Sequence, residues 1–336
     1  MDDNLSSYLA TVGVSALNRY GVLFLLIVGT LGNLLNVYVF SRPHLRHNTC
    51  VLCLLLSSFL NFLVLIFGVF IRCLIGYNID LTYNSSIFCK IRHYVIYTSQ
   101  SVSLWLIVLA CIDRYLSSSS NIVHHRWINR RKVFSIVSCI SILTSLSYIE
   151  VFFCFEASLI TNNICSAKNQ LCSYIDTANF LIFNSFLPPS LMLSFGAAML
   201  INIKQSYQRV EDIQSNTRSI HRINRRDRQL ISILLLEVAL IVVSMFPITI
   251  VKFYQATTSV IRKSQQQMNN EYFVSQVSIV VSYINSSGMF FIYTIRGTIF
   301  RIELIRLFDR LLCCHQQNQL RQRILHMICI HPIERF

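Results

Sequence analysis

Seven apolar stretches decide the fold class before any single motif does. They cover residues 22–40, 51–75, 95–112, 133–155, 180–203, 230–253 and 273–295. A helix that crosses the hydrocarbon core of a bilayer needs roughly 20 apolar residues. Hydrocarbon offers backbone amides no partners, so such runs cross as helices that satisfy their own N–H and C=O groups. Charged residues make up only 13% of the chain, about half of what a soluble domain carries. The sequence therefore predicts an all-α membrane protein, a seven-transmembrane helix bundle. The third and seventh runs hold more hydroxyls and amides than the others, as helices facing a bundle interior do. The first residues are acidic and polar, without the basic start of a secretory signal. The first apolar run is expected to direct insertion itself.

Arginine and lysine set the orientation, because they concentrate on the cytoplasmic side of short loops. With the N-terminus outside, 21 of the 29 Lys and Arg fall on the inner half. The net charge of +14 is thus read as a topology signal and not as a nucleic-acid surface. The 12 cysteines are scattered, with no paired CxxC motifs, so neither a zinc site nor another metal or cofactor is expected. No paired acids or Gly-rich phosphate loop suggests an enzyme.

The chain divides into a short outer segment (1–20), the bundle (21–297), a surface helix (298–314) and a basic tail (315–336). After residue 295 comes "RGTIFRIELIRLFDRLLCC". Ile299, Phe300, Ile302, Leu304, Ile305, Phe308, Leu311 and Leu312 recur at helical spacing, with Arg301, Arg306, Asp309 and Arg310 opposite. That pattern predicts an amphipathic helix in contact with membrane lipids. Cys313 and Cys314 at its end are candidates for lipidation. Beyond Thr298 there is no Ser or Thr, so regulatory phosphates are expected on inner loops, including residues 117–120.

"CIDRYL" closes the third run, and Cys89 stands 25 residues before Arg114. Gly32–Asn33, Ser103, Trp105, Pro188 or Pro189, Pro247, and Tyr293 seven residues before Phe300 complete a pattern over nearly the whole chain. The sequence resembles class A (rhodopsin-like) G-protein-coupled receptors, and in style invertebrate neuropeptide and FMRFamide-like receptors. It departs from them at several places. Met245 stands in place of the sixth-helix Trp, Met289-Phe290 in place of Asn-Pro, and Asn61 in place of the second-helix Asp. The inner Tyr of the fifth helix and the Trp of the fourth are missing. These losses put the usual sodium site in doubt.

The resemblance implies an extracellular ligand, a heterotrimeric G protein as inner partner and a plasma-membrane location. It makes Asp113, Arg114 and Tyr115 the inner switch. Asp227, 20 residues before Pro247, is the expected acid that holds Arg114 at rest, or else it balances its arginine neighbours. Glu237, an acid within the sixth run, is a functional candidate because such a charge is costly there. Asn61 and Asn285 are its expected neighbours. The family disulfide joins Cys89 to the second outer loop, which offers Cys165 and Cys172; distance to Pro188 favours Cys165. Asn4 and Asn84 begin glycosylation sequons on the outer side.

With only about 20 residues before the first span, the ligand is expected inside the bundle. Ile96, 18 residues before Arg114, occupies the place where amine receptors carry an Asp, which argues against a monoamine. Arg92, His93, Tyr97 and Gln100 on the third helix, Arg72, Lys252 and Tyr283 complete the candidate ligand site. Three cations (Arg72, Arg92, Lys252) predict a peptide or small ligand with an anionic group, unless one snorkels to the headgroups or Glu150 and Glu156 neutralise them. A receptor-like decoy that no longer signals is one rival reading. The other is a transporter, which would show internal repeats or broken helices.

Overall fold

The computed structural model describes residues 12–43, 45–46, 48–79, 85–118, 130–157, 165–211, 217–259 and 261–312, with backbone only at 130, 157, 166, 203, 206–211, 217–231, 234, 299, 308 and 310–312. Seven helices are long and apolar enough to cross a membrane. They are α1 (Val12–Phe40), α2 (Thr49–Gly76), α3 (Ser86–Ser118), α4 (Arg131–Cys154), α5 (Gln170–Asn202), α6 (Thr217–Thr258, apolar over Leu235–Thr258) and α7 (Gln265–Arg296). A further helix, α8 (Thr298–Leu312), follows α7. Between α4 and α5 two short strands, β1 (Phe155–Ala157) and β2 (Cys165–Ala167), pair antiparallel.

The helices outrun the apolar stretches because their ends carry polar residues that headgroups and water accept. Helix α5 shows this best. It starts at Gln170, ten residues before its apolar run, where the Asn169 side chain accepts from the Cys172 N–H at 2.9 Å. An Asn at this position satisfies one of the amides left open at a helix start. Helix α5 also passes through a π turn at Leu181–Phe186, just before Pro188 and Pro189. The prolines cannot donate to the preceding carbonyls, and the wider turn takes up the mismatch.

Helix α3 is the central post. Of its apolar window 72% is buried, and 56% of that of α7, against 17% for α4. The helices richest in hydroxyls and amides therefore face inward, as their composition predicts. Ser103 of α3 meets Ser57 at 2.7 Å and donates to Asn61 Oδ1 at 3.0 Å. Asn33 Nδ2 of α1 donates to the carbonyls of Gly29 and of Ser286 on α7, both at 2.9 Å. Each such bond contributes about 0.6 kcal/mol in a membrane protein. Their larger effect is to fix rotation, because a helix turned away leaves a buried amide unpaired.

Glycines permit close approaches of α1 and α2 to α7. A methyl group on Gly68 would stand 2.7 Å from the Tyr283 ring, and one on Gly32 would stand 2.8 Å from Phe290. On the inner side Phe40 packs edge-on against Tyr293 (centroids 5.2 Å apart) and against Phe300 of α8 (5.6 Å). Glu303 on α8 is buried and pairs with Arg306 and with Arg42, the latter at 3.8 Å. Helix α1 already includes residues 12–20 of the expected outer segment, while residues 1–11 with Asn4, residue Asn84, and the tail from Cys313 and Cys314 onward lie outside the described residues.

Overpacking a tight helix contact costs about 1–3 kcal/mol. Gly68→Val is expected to lower the unfolding temperature and surface expression of the protein, while Gly196→Val is expected to change neither, since a methyl group at Gly196 meets nothing within 4 Å. Thermal unfolding of the purified variants checks this.

Candidate functional site

At the inner end, Asp113 is buried at the close of α3. Its carboxylate accepts from the Thr49 hydroxyl and, at 2.9 Å, from Arg114 Nη2. The same Nη2 donates to Asn48 Oδ1 at 2.5 Å. Asn48 is also the N-cap of α2, accepting from the Cys50 N–H at 3.0 Å. Arg114 is thus held by the start of α2 and by its neighbour. The side chain of Asp227 lies outside the described residues; the backbone there belongs to α6. Tyr115 packs on Phe195 of α5, centroids 5.6 Å apart. The Ser117 and Ser118 hydroxyls donate to the carbonyls of Asp113 and Tyr115, both at 2.8 Å.

Midway, Met245 occupies a fully packed position on α6 and accepts a hydrogen bond from Gln100 of α3 at 3.3 Å. Phe246, the neighbouring aromatic, points outward and is 56% exposed. Pro247 lies inside α6 and removes one backbone bond there, which makes the helix locally bendable. Glu237 is completely buried, and neither carboxylate oxygen has a hydrogen-bond partner of good geometry among the described residues. The expected neighbours need correction. Asn61 is engaged by Ser103, and neither it nor Asn285 bonds Glu237. The polar side chain beside the acid is Tyr293 of α7. Glu237 is also within electrostatic reach of Cys50 on α2 and Cys111 on α3, near the inner ends of those helices.

At the outer end two disulfides pin the strand pair. Cys89 at the head of α3 is bonded to Cys165 on β2. Cys172, the other candidate partner, is bonded to Cys154 at the end of α4. The second bridge was not anticipated, because Cys154 lies within an apolar run. Together the bridges tie α3, α4 and α5 to one hairpin. His93 follows one turn after Cys89. Its Nδ1 lies 3.0 Å from the Cys89 carbonyl, and its ring packs on Phe155 at 5.1 Å.

The structure corrects the picture of three uncompensated cations. Lys252 forms an ion pair with Asp176 of α5 and donates to the Tyr97 hydroxyl at 3.0 Å. Its ammonium also lies 4.9 Å from the Tyr97 ring centre and 5.2 Å from that of Phe180. Glu150 instead accepts from Asn179 at 2.8 Å, and Glu156 is exposed on β1. Asp176 was missed because it precedes the apolar run of its helix. Arg72 donates to Gln276 of α7 and has no ion-pair partner among the described residues. Arg92 donates to the carbonyls of Phe67 and Gly68, at 2.9 and 3.5 Å. Both belong to the π turn Leu65–Phe70 of α2. Ile96 is buried and apolar, and Tyr283 fills the space over Gly68.

Seven spanning helices, six of them around a polar α3, closed at one end by a bridge to a hairpin and at the other by an Asp-Arg pair, define a multi-pass membrane protein of the receptor type. Residues 32–293 match the family described as 7 transmembrane receptor (rhodopsin family), and the chain belongs to that family. No curated protein matches it.

Removing one partner of a buried ion pair costs about 3–5 kcal/mol, because the other charge is left alone. Lys252→Gln and Asp176→Asn are each expected to lower the unfolding temperature. The double variant is expected to recover most of the loss. A thermal-unfolding double-mutant cycle measures the coupling.

Proposed function

We propose that the protein is a plasma-membrane G-protein-coupled receptor, with its N-terminus outside and its C-terminus inside. It takes an extracellular ligand of the neuropeptide class in the outer half of the bundle. It passes the signal to a heterotrimeric G protein at the inner end. The observation that carries this reading is Arg114. A guanidinium stays charged in any protein setting, and here, among the described residues, Asn48 and Asp113 hold it at the mouth of the bundle, with the Cys50 thiol beside it. Both contacts come from the α2–α3 side, so an outward swing of α6 leaves the arginine facing the space that opens. An amphipathic helix of a partner would enter such a groove.

Asp227 supplies the second half of the proposed lock, from α6. Glu237 and Tyr293 link α6 to α7 where the family carries Asn-Pro. A decoy remains the second reading, favoured by Met245 and Met289-Phe290 at the usual relay positions. Agonist-driven nucleotide exchange on a purified G protein, with agonists drawn from a peptide library, separates the two: exchange supports the receptor, and ligand binding without exchange supports the decoy.

Two variants test the switch. Asp227→Ala and Asp113→Asn are each expected to raise ligand-free nucleotide exchange several-fold at equal surface expression. Unchanged basal exchange in both would remove the lock from the mechanism.

A further inference from the structure

The outer half of the bundle holds buried charges that do not balance locally, and they do so at two separate places. On the α2–α3–α7 side stand Arg72 and Arg92, each 8% exposed. Neither has an acid within ion-pair distance among the described residues, and Arg72 Nη1 is buried without any hydrogen-bond partner. The two guanidiniums lie within electrostatic reach of each other, so each makes the other harder to bury. The carbonyls that orient Arg92 carry dipoles but no net charge.

On the α4–α5–α6 side the imbalance has the opposite sign. Asp176 and Glu150 lie within electrostatic reach of each other and of Lys252, so two acids share one base. Asp176 is 6% exposed, and its Oδ1 has no partner among the described residues. Glu150 Oε2 is likewise buried, with no partner among the described residues. Aromatic rings surround the group, with Tyr97 5.5 Å from Tyr148 and 6.0 Å from Phe180. Ring faces attract cations, and a ring-lined acid pair is a place where an ammonium or guanidinium can be desolvated cheaply. His93 is within electrostatic reach of Arg72, Arg92 and Lys252, so the two charged places adjoin across α3.

We infer that the outer bundle is a bipolar site for a peptide that carries both a carboxylate, bound at Arg72 and Arg92, and a basic group, bound at Asp176 and Glu150. This rests on the outer bundle being the ligand site. It replaces the purely anionic ligand that counting cations suggests, because Lys252 is already occupied. The carboxylate is either a free peptide C-terminus or an acidic side chain; both present the same two oxygens to a guanidinium fork.

The test uses the full-length protein in nanodiscs and needs no G protein. Unfolding temperature is measured first without ligand. Arg72→Gln and Glu150→Gln are each expected to raise it by a few degrees, by removing an unbalanced buried charge. Arg72→Lys, which keeps the charge, is expected to give no rise. The wild type is then screened by thermal shift against synthetic peptides in four classes: with or without an Arg or Lys side chain, and with a free-acid or amidated C-terminus. Stabilising peptides are expected among those that combine a basic group with a carboxylate. Amidated hits that retain an Asp or Glu point to a side-chain carboxylate, and hits confined to free acids point to the C-terminus. Arg72→Gln is expected to weaken those hits about tenfold or more, the size of a lost charged hydrogen bond.

A lower ligand-free unfolding temperature for both Gln variants would make these groups structural and overturn the inference. So would equal stabilisation by all four classes, or stabilisation by none. Peptide binding without nucleotide exchange would count against the signalling reading and leave the bipolar site standing. Exchange driven by an uncharged ligand would do the reverse.

Discussion

A polar helix buried at the centre of an apolar bundle is the constraint on which the rest of the structure depends. Lipid supplies no hydrogen bonds, so the polar side chains of α3 are drawn to partners on neighbouring helices, although Thr98 Oγ1 and Trp105 Nε1 have none among the described residues. Ser103 finds Ser57 and Asn61, Gln100 finds Met245, and Arg92 finds the π turn of α2. Tyr97 receives Lys252 from α6, and Asp113 receives Thr49 from α2. Each contact fixes the rotation of another helix against α3. The post that holds the bundle together is therefore also the element that touches both candidate sites.

The rewired middle of the bundle follows from this dependence. A Trp at the position of Met245 would present a large ring to Gln100; the thioether presents a weak acceptor and three flexible bonds. Without proline at residue 290, α7 runs unbroken from Gln265 to Arg296. Helix α7 thus lacks a proline break, and Pro247 remains as the break in the regular bonding of α6. Tyr293 stands at the junction. Its ring belongs to the cluster with Phe40 and Phe300, and its polar edge lies beside Glu237. The link between α6, α7 and α8 is made of one acid and four aromatic rings, counting Phe290.

The fold was legible in the sequence because crossing a bilayer leaves a length signal that no local rule can hide. Chemistry that depends on which residue faces which was only partly legible. Cys165 could be ranked above Cys172 as partner of Cys89, but the second bridge could not be seen while Cys154 counted as part of a span. Asp176 was invisible for the matching reason: its helix starts ten residues before the apolar run, on the strength of the Asn169 cap. Asn48 looks like an ordinary loop residue, and only its double role as N-cap and acceptor brings it to Arg114. The π turns left no readable trace, although the one in α2 supplies the carbonyls that hold Arg92. In each case type and spacing identified the functional side chain, while its partner was set by helix ends and register.

The two ends of the protein are joined most directly through α6. Lys252 and Glu237 are 15 residues apart on this helix, which places them about 22 Å apart along its axis. The ion pair with Asp176 holds the outer part of α6 to α5, and the contact with Tyr97 holds it to α3. A group that competes for Asp176 acts on the tie to α5 and leaves the Tyr97 hydroxyl in place to hold Lys252. Between them and the inner end lies Pro247, where the helix lacks a backbone bond and bends at least cost. Below it, Glu237 lies beside Tyr293 of α7, with no hydrogen bond of good geometry among the described residues. The described restraints on α6 are thus ionic at its outer end and uncharged in its middle, where Gln100 meets Met245.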